Sequence, residues 1–197
     1  MNALVGFAPF IAFFAFMRLV SPAGGLWVAA TVSLLLCSRV WWKGESVKIL
    51  EVGSLILFAG LALYTVAVRP HWSVAGVRLV VDAGLTAIIV VSLAIRRPFT
   101  LPYARERVPE QFWATPLFMS INRAITGVWA GAFALLTAAD AFAEFVPAIP
   151  LWVDVAISIL ALVVAFWFSR WYPTFRRRSI PGASVPVSAK IAAGRRP

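Results

Sequence analysis

Long apolar segments separated by short polar turns dominate this chain. Each segment is long enough, at about 1.5 Å of helix per residue, to cross or nearly cross a hydrocarbon core of about 30 Å. Because the bilayer core offers no water to backbone amides, each is predicted to be helical. The pattern therefore predicts an all-α polytopic transmembrane bundle with about six spans. The six segments are Leu4–Val20, Leu26–Trp42, Ile49–Val68, Val74–Ile95, Leu117–Val146 and Ala148–Tyr172.

The longest interruption inside the predicted bundle is the stretch 96–116, which mixes basic, acidic, proline and aromatic residues. Such a mixture suits a segment that lies on the membrane surface with its aromatic side chains in the interface. Loops often carry function, because helices fix them while their side chains stay free to meet partners. This loop is the predicted partner-contact surface, through Arg96, Arg97, Phe99, Tyr103, Arg105, Arg107 and Trp113.

The chain divides into one bundle and one tail. Residues 1–172 hold the six segments, and the loops between them are too short to form a second core. Residues 173–197 mix Pro, Ser, Gly, Ala and Arg without an apolar helical stripe, which predicts a disordered basic tail. No basic residue precedes the first segment and no convincing cleavage site follows it, so it is predicted to be a retained helix rather than a signal peptide.

Composition supports the membrane assignment. Hydrophobic residues make up 61% of the 197 residues and charged residues only 13%, whereas soluble domains have about 25% charged residues. A soluble fold of this length could not bury so much apolar surface. The chain is therefore predicted to reside in a membrane as one helical domain.

Positive charge predicts the orientation. Of the 18 Lys and Arg residues, 14 fall on one side of the predicted bundle, three (Arg18, Arg69 and Arg78) fall on the other, and Arg123 lies at the start of the fifth segment. Short loops rich in Lys and Arg stay cytoplasmic, so both termini are predicted to face the cytoplasm. The net charge of +10 is spread along the predicted membrane surface rather than gathered in a nucleic-acid-binding domain. This distribution predicts lipid partners and no nucleic acid.

Polar residues inside apolar segments are functional candidates, because each costs about 2.5–3.5 kcal/mol or more near a helix centre. Arg78 and Asp82 are four residues apart and are predicted to pair on one helical face. In one interpretation, Glu51, Asp82 and Asp154 form a proton or cation path. In the other, Arg78–Asp82 is a structural pair, and Glu51 and Asp154 reach the interface, as Asp140 and Glu144 are also expected to do. The candidate intramembrane polar residues are Glu51, Arg78, Asp82, Asn122, Arg123 and Asp154.

The polar segments lack the combinations of residues that usually carry out catalysis. His71 is the single histidine and Cys37 the single cysteine, so no metal site, thiolate cluster or cofactor is predicted. No Ser-His-Asp set or phosphate-binding glycine loop is present, and the chain is predicted not to be an enzyme. An enzyme acting on lipid through Asn122, Arg123 and the loop remains an alternative. Gly127 and Gly131 form a Gly-x-x-x-Gly step, which bundle packing or a homodimer would explain equally well.

The first segment reads Phe7-Ala8-Pro9-Phe10-Ile11-Ala12-Phe13-Phe14-Ala15-Phe16. This string resembles the opening helix of the bacterial inner-membrane septation protein A family, in which Phe-x-Pro precedes Phe-Phe-Ala-Phe. The resemblance continues in a basic-Pro step after the fourth segment, followed by a Pro, a Trp, an Asn and a second Trp. The intervals between those Trp and Asn residues are longer here than in the family, as in a divergent relative. The matching positions are Arg96, Arg97, Pro98, Pro109, Trp113, Asn122 and Trp129.

The resemblance implies a non-enzymatic, multi-pass protein of the bacterial inner membrane. It would support cell division and envelope maintenance by contacting membrane proteins of the division and elongation machinery. The alternative prediction, drawn from the residues themselves, is a small transporter or channel that uses the intramembrane carboxylates.

Overall fold

A computed structural model describes residues 3–44, 48–146 and 151–178 of the chain, and these residues form helices and turns without a strand among them. Five helices are long and apolar enough to cross a membrane: α3, α4, α5, α7 and the part of α8 from Trp152 to Arg176. The predicted all-helical architecture is confirmed, and the apolar helices are those of a multi-pass membrane protein. The helices are α1 Ala3–Gly6, α2 Ala8–Leu19, α3 Pro22–Trp42, α4 Ile49–Val68, α5 Val74–Ala94, α6 Leu101–Arg105, α7 Pro116–Phe145 and α8 Leu151–Arg178, with a 3₁₀ turn at Glu110–Phe112.

The first predicted segment is shorter than expected as a helix. Phe7 separates α1 from α2, and Pro9 occupies the second position of α2, where a proline is tolerated because its missing N–H has no helical partner. The 12 residues of α2 cover about 18 Å, less than the hydrocarbon core. Its buried rings Phe10 and Phe13 instead pack against Phe58 of α4, with centroids 4.9 and 5.7 Å apart. This helix buries one face against the bundle and leaves Ile11, Phe16 and Leu19 of its other face exposed.

Neighbouring helices run antiparallel. Gly53 of α4 packs against Ile88 of α5, and Gly84 of α5 packs against Leu57 of α4. The main packing pairs follow the chain: α2 with α3, α3 with α4, α4 with α5, α5 with α7 and α7 with α8.

The described start and end of the chain lie at the same end of the bundle, since Phe7 and Pro173 line one cavity. Exposed arginines of the 96–116 loop and of α8 also lie there, and we call it the basic end. The opposite end contains the turn 69–73 between α4 and α5.

The 96–116 loop is partly built into the core rather than spread over a surface. Arg96 has a φ of +57° and reverses the chain after α5. The Phe99 N–H then donates to Ser92 Oγ at 3.2 Å. Phe99 is 2% exposed and Tyr103 of α6 is 7% exposed, which corrects the prediction that these rings dip into the membrane interface as contact residues.

The last helix is longer than predicted. α8 continues through Pro173 to Arg178, although the sequence predicted disorder from residue 173. A proline inside a transmembrane helix is tolerated where neighbouring groups satisfy the freed carbonyl. Residues 148–150 of the predicted sixth segment and residues 179–197 of the predicted tail lie outside the described residues.

Candidate functional sites at the two ends of the bundle

A group of ionisable side chains lies inside the end of the bundle that is opposite the basic end. Arg78, in the second turn of α5, has its Nη2 2.7 Å from Oδ1 of Asp140 on α7. Its Nη1 lies 2.6 Å from Oδ2 of Asp154 on α8. These contacts are close charge pairs rather than well-aligned hydrogen bonds. The guanidinium thus joins three helices, and we call Arg78, Asp82, Asp140 and Asp154 the Arg78 cluster.

Asp82 completes the cluster in an unexpected way. The ion pairs of Arg78 among the described residues go to Asp140 and Asp154, which corrects the predicted Arg78–Asp82 pair. An arginine side chain is long enough to reach neighbouring helices, where it meets two carboxylates instead of one. Asp82 lies beside Asp140 and within range of the charges of Arg78 and Asp154. It is 1% exposed, and neither of its carboxylate oxygens accepts a hydrogen bond from the described residues.

The charges within the cluster do not balance. Fully ionised, it would hold one positive and three negative charges in a buried site. Like charges repel strongly where the surroundings screen them poorly. Two adjacent carboxyl groups form a hydrogen bond only when one of them carries a proton, and such pairs share protons to relieve repulsion. Asp82 and Asp140 are neighbours within this excess of negative charge, which a simple structural ion pair does not need.

Aromatic and hydroxyl groups surround the cluster. The Phe14 ring of α2 lies 5.9 Å from the Arg78 guanidinium carbon, within the range of a cation–π contact. One and two turns away, α5 and α7 are joined by further polar contacts. Ser73 donates to Glu144 at the outer edge, and Thr86 and Thr137 share a hydrogen bond of 3.1 Å further inside.

Glu51 does not belong to this cluster. It lies in the first turn of α4, and its Oε2 accepts from the Lys48 N–H at 3.4 Å, so it caps its own helix. From the antiparallel register of α4 and α5, it lies about 12 Å along the helix axis from Asp82. The structure therefore brings Asp82 and Asp154 together and leaves Glu51 at the basic end.

Lys48 fastens the α6 segment to the start of α4. Its buried Nζ lies 2.6 Å from Oε1 of Glu106 and 4.5 Å from the centroid of the Tyr103 ring. Burial raises the pKa of the Tyr103 hydroxyl, and the charges of Glu51 and Glu106 raise it further. Burial acts to raise the pKa of the Glu106 carboxyl, whereas the hydrogen bond and charge of Lys48 act to lower it, and the net shift of the pKa is downward.

A cavity of about 610 Å³ opens at the basic end between the 96–116 loop, α7 and α8. Three rings from separate parts of the chain meet at its inner wall. The Phe7 ring stacks on Trp129 at 5.2 Å and meets Phe99 edge-on at 6.3 Å, while Phe99 lies 6.5 Å from Trp129. The rim carries Arg107 and Arg170, both exposed.

Most polar side chains of the cavity wall are hydrogen-bonded within the protein, whereas the Tyr103 hydroxyl has no hydrogen-bond partner among the described residues. Asn122 Nδ2 donates to the Phe118 carbonyl at 2.8 Å, and its Oδ1 lies 3.3 Å from the Thr100 hydroxyl. Trp129 Nε1 donates to Ser169 Oγ at 2.9 Å, which ties α7 to α8. Ligand-facing charge is therefore concentrated on the two arginines of the rim.

The predicted site residues thus separate into distinct environments. Asn122 lines the cavity, whereas Arg123 faces outward, because consecutive helical residues point about 100° apart. Arg96, Arg97, Arg105 and Arg107 are exposed, and Arg105 lies 5.1 Å from the half-buried Trp113 ring.

Asp140 was not predicted as a buried partner of Arg78. Its segment of 30 residues is longer than one span, so either end could lie outside the bilayer. The spacing from Arg78 could not reveal it, because the pairing depends on how α5 and α7 align. A Cβ at Gly127 or Gly131 would meet no heavy atom within 4 Å, so bundle packing among the described residues does not use this step.

Searches against models of protein families, curated proteins and solved structures found no match to this chain. Among the described residues, no group of three or more His, Cys, Asp or Glu side chains is arranged to hold a metal ion.

Proposed function

We propose that the chain is a multi-pass protein of the bacterial cytoplasmic membrane that supports septation and envelope maintenance through contacts with other membrane proteins. The observation that supports this proposal is the meeting of separated stretches at the basic-end cavity. The stretches similar to septation protein A supply Phe7, Asn122 and Trp129, and Phe99 directly follows the Arg-Arg-Pro step.

These positions are distant in sequence but adjacent in the fold. We infer from their convergence that the resembling stretches form one three-dimensional feature. In this proposal, the protein acts as a non-enzymatic interaction partner, and the cavity end is its working surface.

The basic end is proposed to face the cytoplasm, following the distribution of Lys and Arg. Compartment-specific reporter tags at Ser21 and Arg105, which lie at opposite ends of the bundle, test this orientation. Reports from different compartments, with the Arg105 tag cytoplasmic, are expected. Reports from the same compartment would contradict the topology.

The exposed arginines of the loop are proposed to contact the partners. Phe99 and Tyr103 bury the inner side of the loop, and the Lys48–Glu106 pair fixes α6, so the outward side chains are presented on a rigid support. Arg105 is additionally held against Trp113. Rigid presentation reduces the entropy lost when a partner binds.

Gene deletion with complementation tests the proposal. Deletion is expected to lengthen cells and to reduce survival after osmotic downshift, and the wild-type gene is expected to restore both. Arg105→Ala should restore them only in part. Arg123→Ala, which removes an exposed arginine on α7, should behave as wild type. Normal length and osmotic tolerance in the deletion strain would contradict the proposal.

Proximity labelling addresses the partners separately. A labelling enzyme fused beside the loop is expected to mark division and wall-synthesis membrane proteins, with less marking in the Arg105→Ala variant. The same enzyme fused to an unrelated multi-pass membrane protein gives the background. Equal recovery of these proteins from both fusions would exclude a specific contact.

A second candidate function, proton conduction across the membrane, is favoured by the Arg78 cluster. Three carboxylates around one guanidinium can exchange a proton without leaving the arginine unpaired, and intramembrane ionisable groups commonly mark ion pathways. Asp82 is the proposed proton carrier, because Asp140 and Asp154 already pair with Arg78.

Reconstitution in liposomes with an internal pH dye tests this function. Wild-type protein should dissipate an imposed pH gradient faster than empty vesicles, and Asp82→Asn should abolish the difference. Glu51→Gln is the matched control, since it neutralises another buried carboxyl outside the cluster and should retain flux. Wild-type flux equal to that of empty vesicles would remove this candidate.

A further inference from the structure

We propose that the basic-end cavity binds a membrane lipid with an anionic phosphate headgroup. The cavity is lined mostly by aromatic and aliphatic side chains, and its charged lining residues within the described part of the chain are Arg107 and Arg170. This inference stands on the cavity itself and does not depend on the septation or transport proposals.

The charge of the rim defines the headgroup. Arg107 comes from the loop and Arg170 from α8, so the two guanidinium groups approach the opening from different elements. No carboxylate of the described residues forms an ion pair with either of them. Guanidinium groups bind phosphate oxygens through paired hydrogen bonds, so each of the two arginines is a candidate partner for a phosphate at this opening.

The lining of the cavity calls for an apolar part on the same ligand. Phe7, Trp129 and Phe166 contribute rings to the wall. Phe166 is also 41% exposed and lies on α8, whose exposed large side chains between Trp152 and Trp167 are apolar. The cavity is therefore open towards the lipid side, and a free phosphate ion would leave this aromatic wall unused.

The height of the rim agrees with a lipid headgroup. Arg170 comes 19 residues after Leu151, which corresponds to about 28 Å of helix, close to the thickness of the hydrocarbon core. Its neighbours Trp167 and Trp171 are exposed, as indoles at the membrane interface commonly are. A phosphate held by Arg170 would thus lie at the level of other headgroups, with its acyl chains beside α8.

Native mass spectrometry of the delipidated protein in detergent can test this site. Phosphatidylglycerol and phosphatidylcholine with identical acyl chains serve as probes, so that only headgroup charge differs. Wild-type protein should retain one phosphatidylglycerol about thirtyfold more strongly than phosphatidylcholine, as expected from about 1 kcal/mol for each of two basic residues beside a headgroup of net negative charge. The Arg107→Gln/Arg170→Gln double variant should lose this preference.

Two further variants separate the cavity from general surface attraction. Arg39→Gln/Arg123→Gln removes the same charge from exposed positions outside the cavity lining and should keep the preference. Ala104→Trp fills the cavity without removing an arginine and should lose the bound lipid; circular dichroism verifies that its helices remain.

The outcomes discriminate clearly. Equal retention of both lipids, equal loss in the two double variants, or full retention by Ala104→Trp would overturn the proposal. Displacement of phosphatidylglycerol by millimolar inorganic phosphate would assign the arginines to a soluble phosphate and also overturn it.

Discussion

The Arg78 cluster and the basic-end cavity use arginine in opposite ways. Arg78 is buried and paired with two carboxylates from other helices. Arg107 and Arg170 are exposed at an open cavity without an ion pair to the described carboxylates. A buried guanidinium must be compensated within the protein, whereas an exposed one remains available to a ligand. The first arginine therefore holds helices together, and the other two face outward for binding.

The largest expected effect comes from removing the buried guanidinium. Arg78→Met would leave three buried carboxyl groups without their cation, at a cost of about 3–5 kcal/mol in the free energy of unfolding. Thermal unfolding in detergent measures this loss. Arg170→Met makes the same substitution at an exposed arginine and should change the free energy of unfolding little. Equal stability of the two variants would contradict the distinction between a buried, paired arginine at one end and an exposed arginine at the other.

Within the cluster, the three carboxylates should not be equivalent. Asp140→Asn weakens an ion pair with Arg78 and should cost about 1–3 kcal/mol of stability. Asp82→Asn removes an uncompensated negative charge and should be neutral or stabilising. Chemical unfolding of both variants under one condition makes the comparison. A larger loss for Asp82→Asn would indicate that Asp82 is the main partner of Arg78.

At the cavity, the hydrogen bond from Trp129 of α7 to Ser169 of α8 should contribute less to stability than the ion pairs of the Arg78 cluster. Trp129→Phe keeps an aromatic ring against Phe7 but loses the hydrogen bond to Ser169, at about 0.5–1.5 kcal/mol. Trp167→Phe changes an indole that is 60% exposed and serves as the control. Unfolding in detergent should separate the two variants. No difference between them would show that the Ser169 contact does not stabilise the helix pair.

The smallest effect concerns acid release of the α6 segment. Because the folded-state pKa of Glu106 is lowered, its contact with Lys48 stabilises the segment above the unfolded pKa of about 4.3. This stabilisation is lost as the pH falls through the folded-state pKa. Limited proteolysis at residues 101–107 should therefore increase in acid for the wild type. Glu106→Gln should be cleaved equally at acidic and at neutral pH. An acid-dependent change in that variant would assign the effect to another group.

Much of the helical architecture could be predicted from the sequence. Ile49–Val68 was predicted with the bounds that the structure gives, because Lys48 and Arg69 flank a long apolar run whose one charged residue is Glu51. α2 was harder, since apolarity continues through Phe7 and only the local backbone marks the break. The extension of α8 past Pro173 was also missed, because a proline usually indicates the end of a helix.

The candidate sites were less predictable. The spacing of Arg78 and Asp82 indicated a pair within one helix, but Asp140 and Asp154 compete for the same guanidinium from other helices. Phe99 and Tyr103 were expected on the loop surface because the loop is polar overall. Their burial depends on the chain reversal at Arg96, which has a left-handed φ.

The sequence by itself determined the helical, membrane-type character of this protein, because apolar length and backbone hydrogen bonding leave few other solutions in a bilayer. It also determined which polar residues would be costly to bury. Only the tertiary structure decided their partners, since ion pairs and cavities form between helices whose rotation and alignment no local pattern specifies. For that reason Asp140 joined Arg78, Glu51 remained at the other end, and Phe7, Phe99 and Trp129 came to line one cavity.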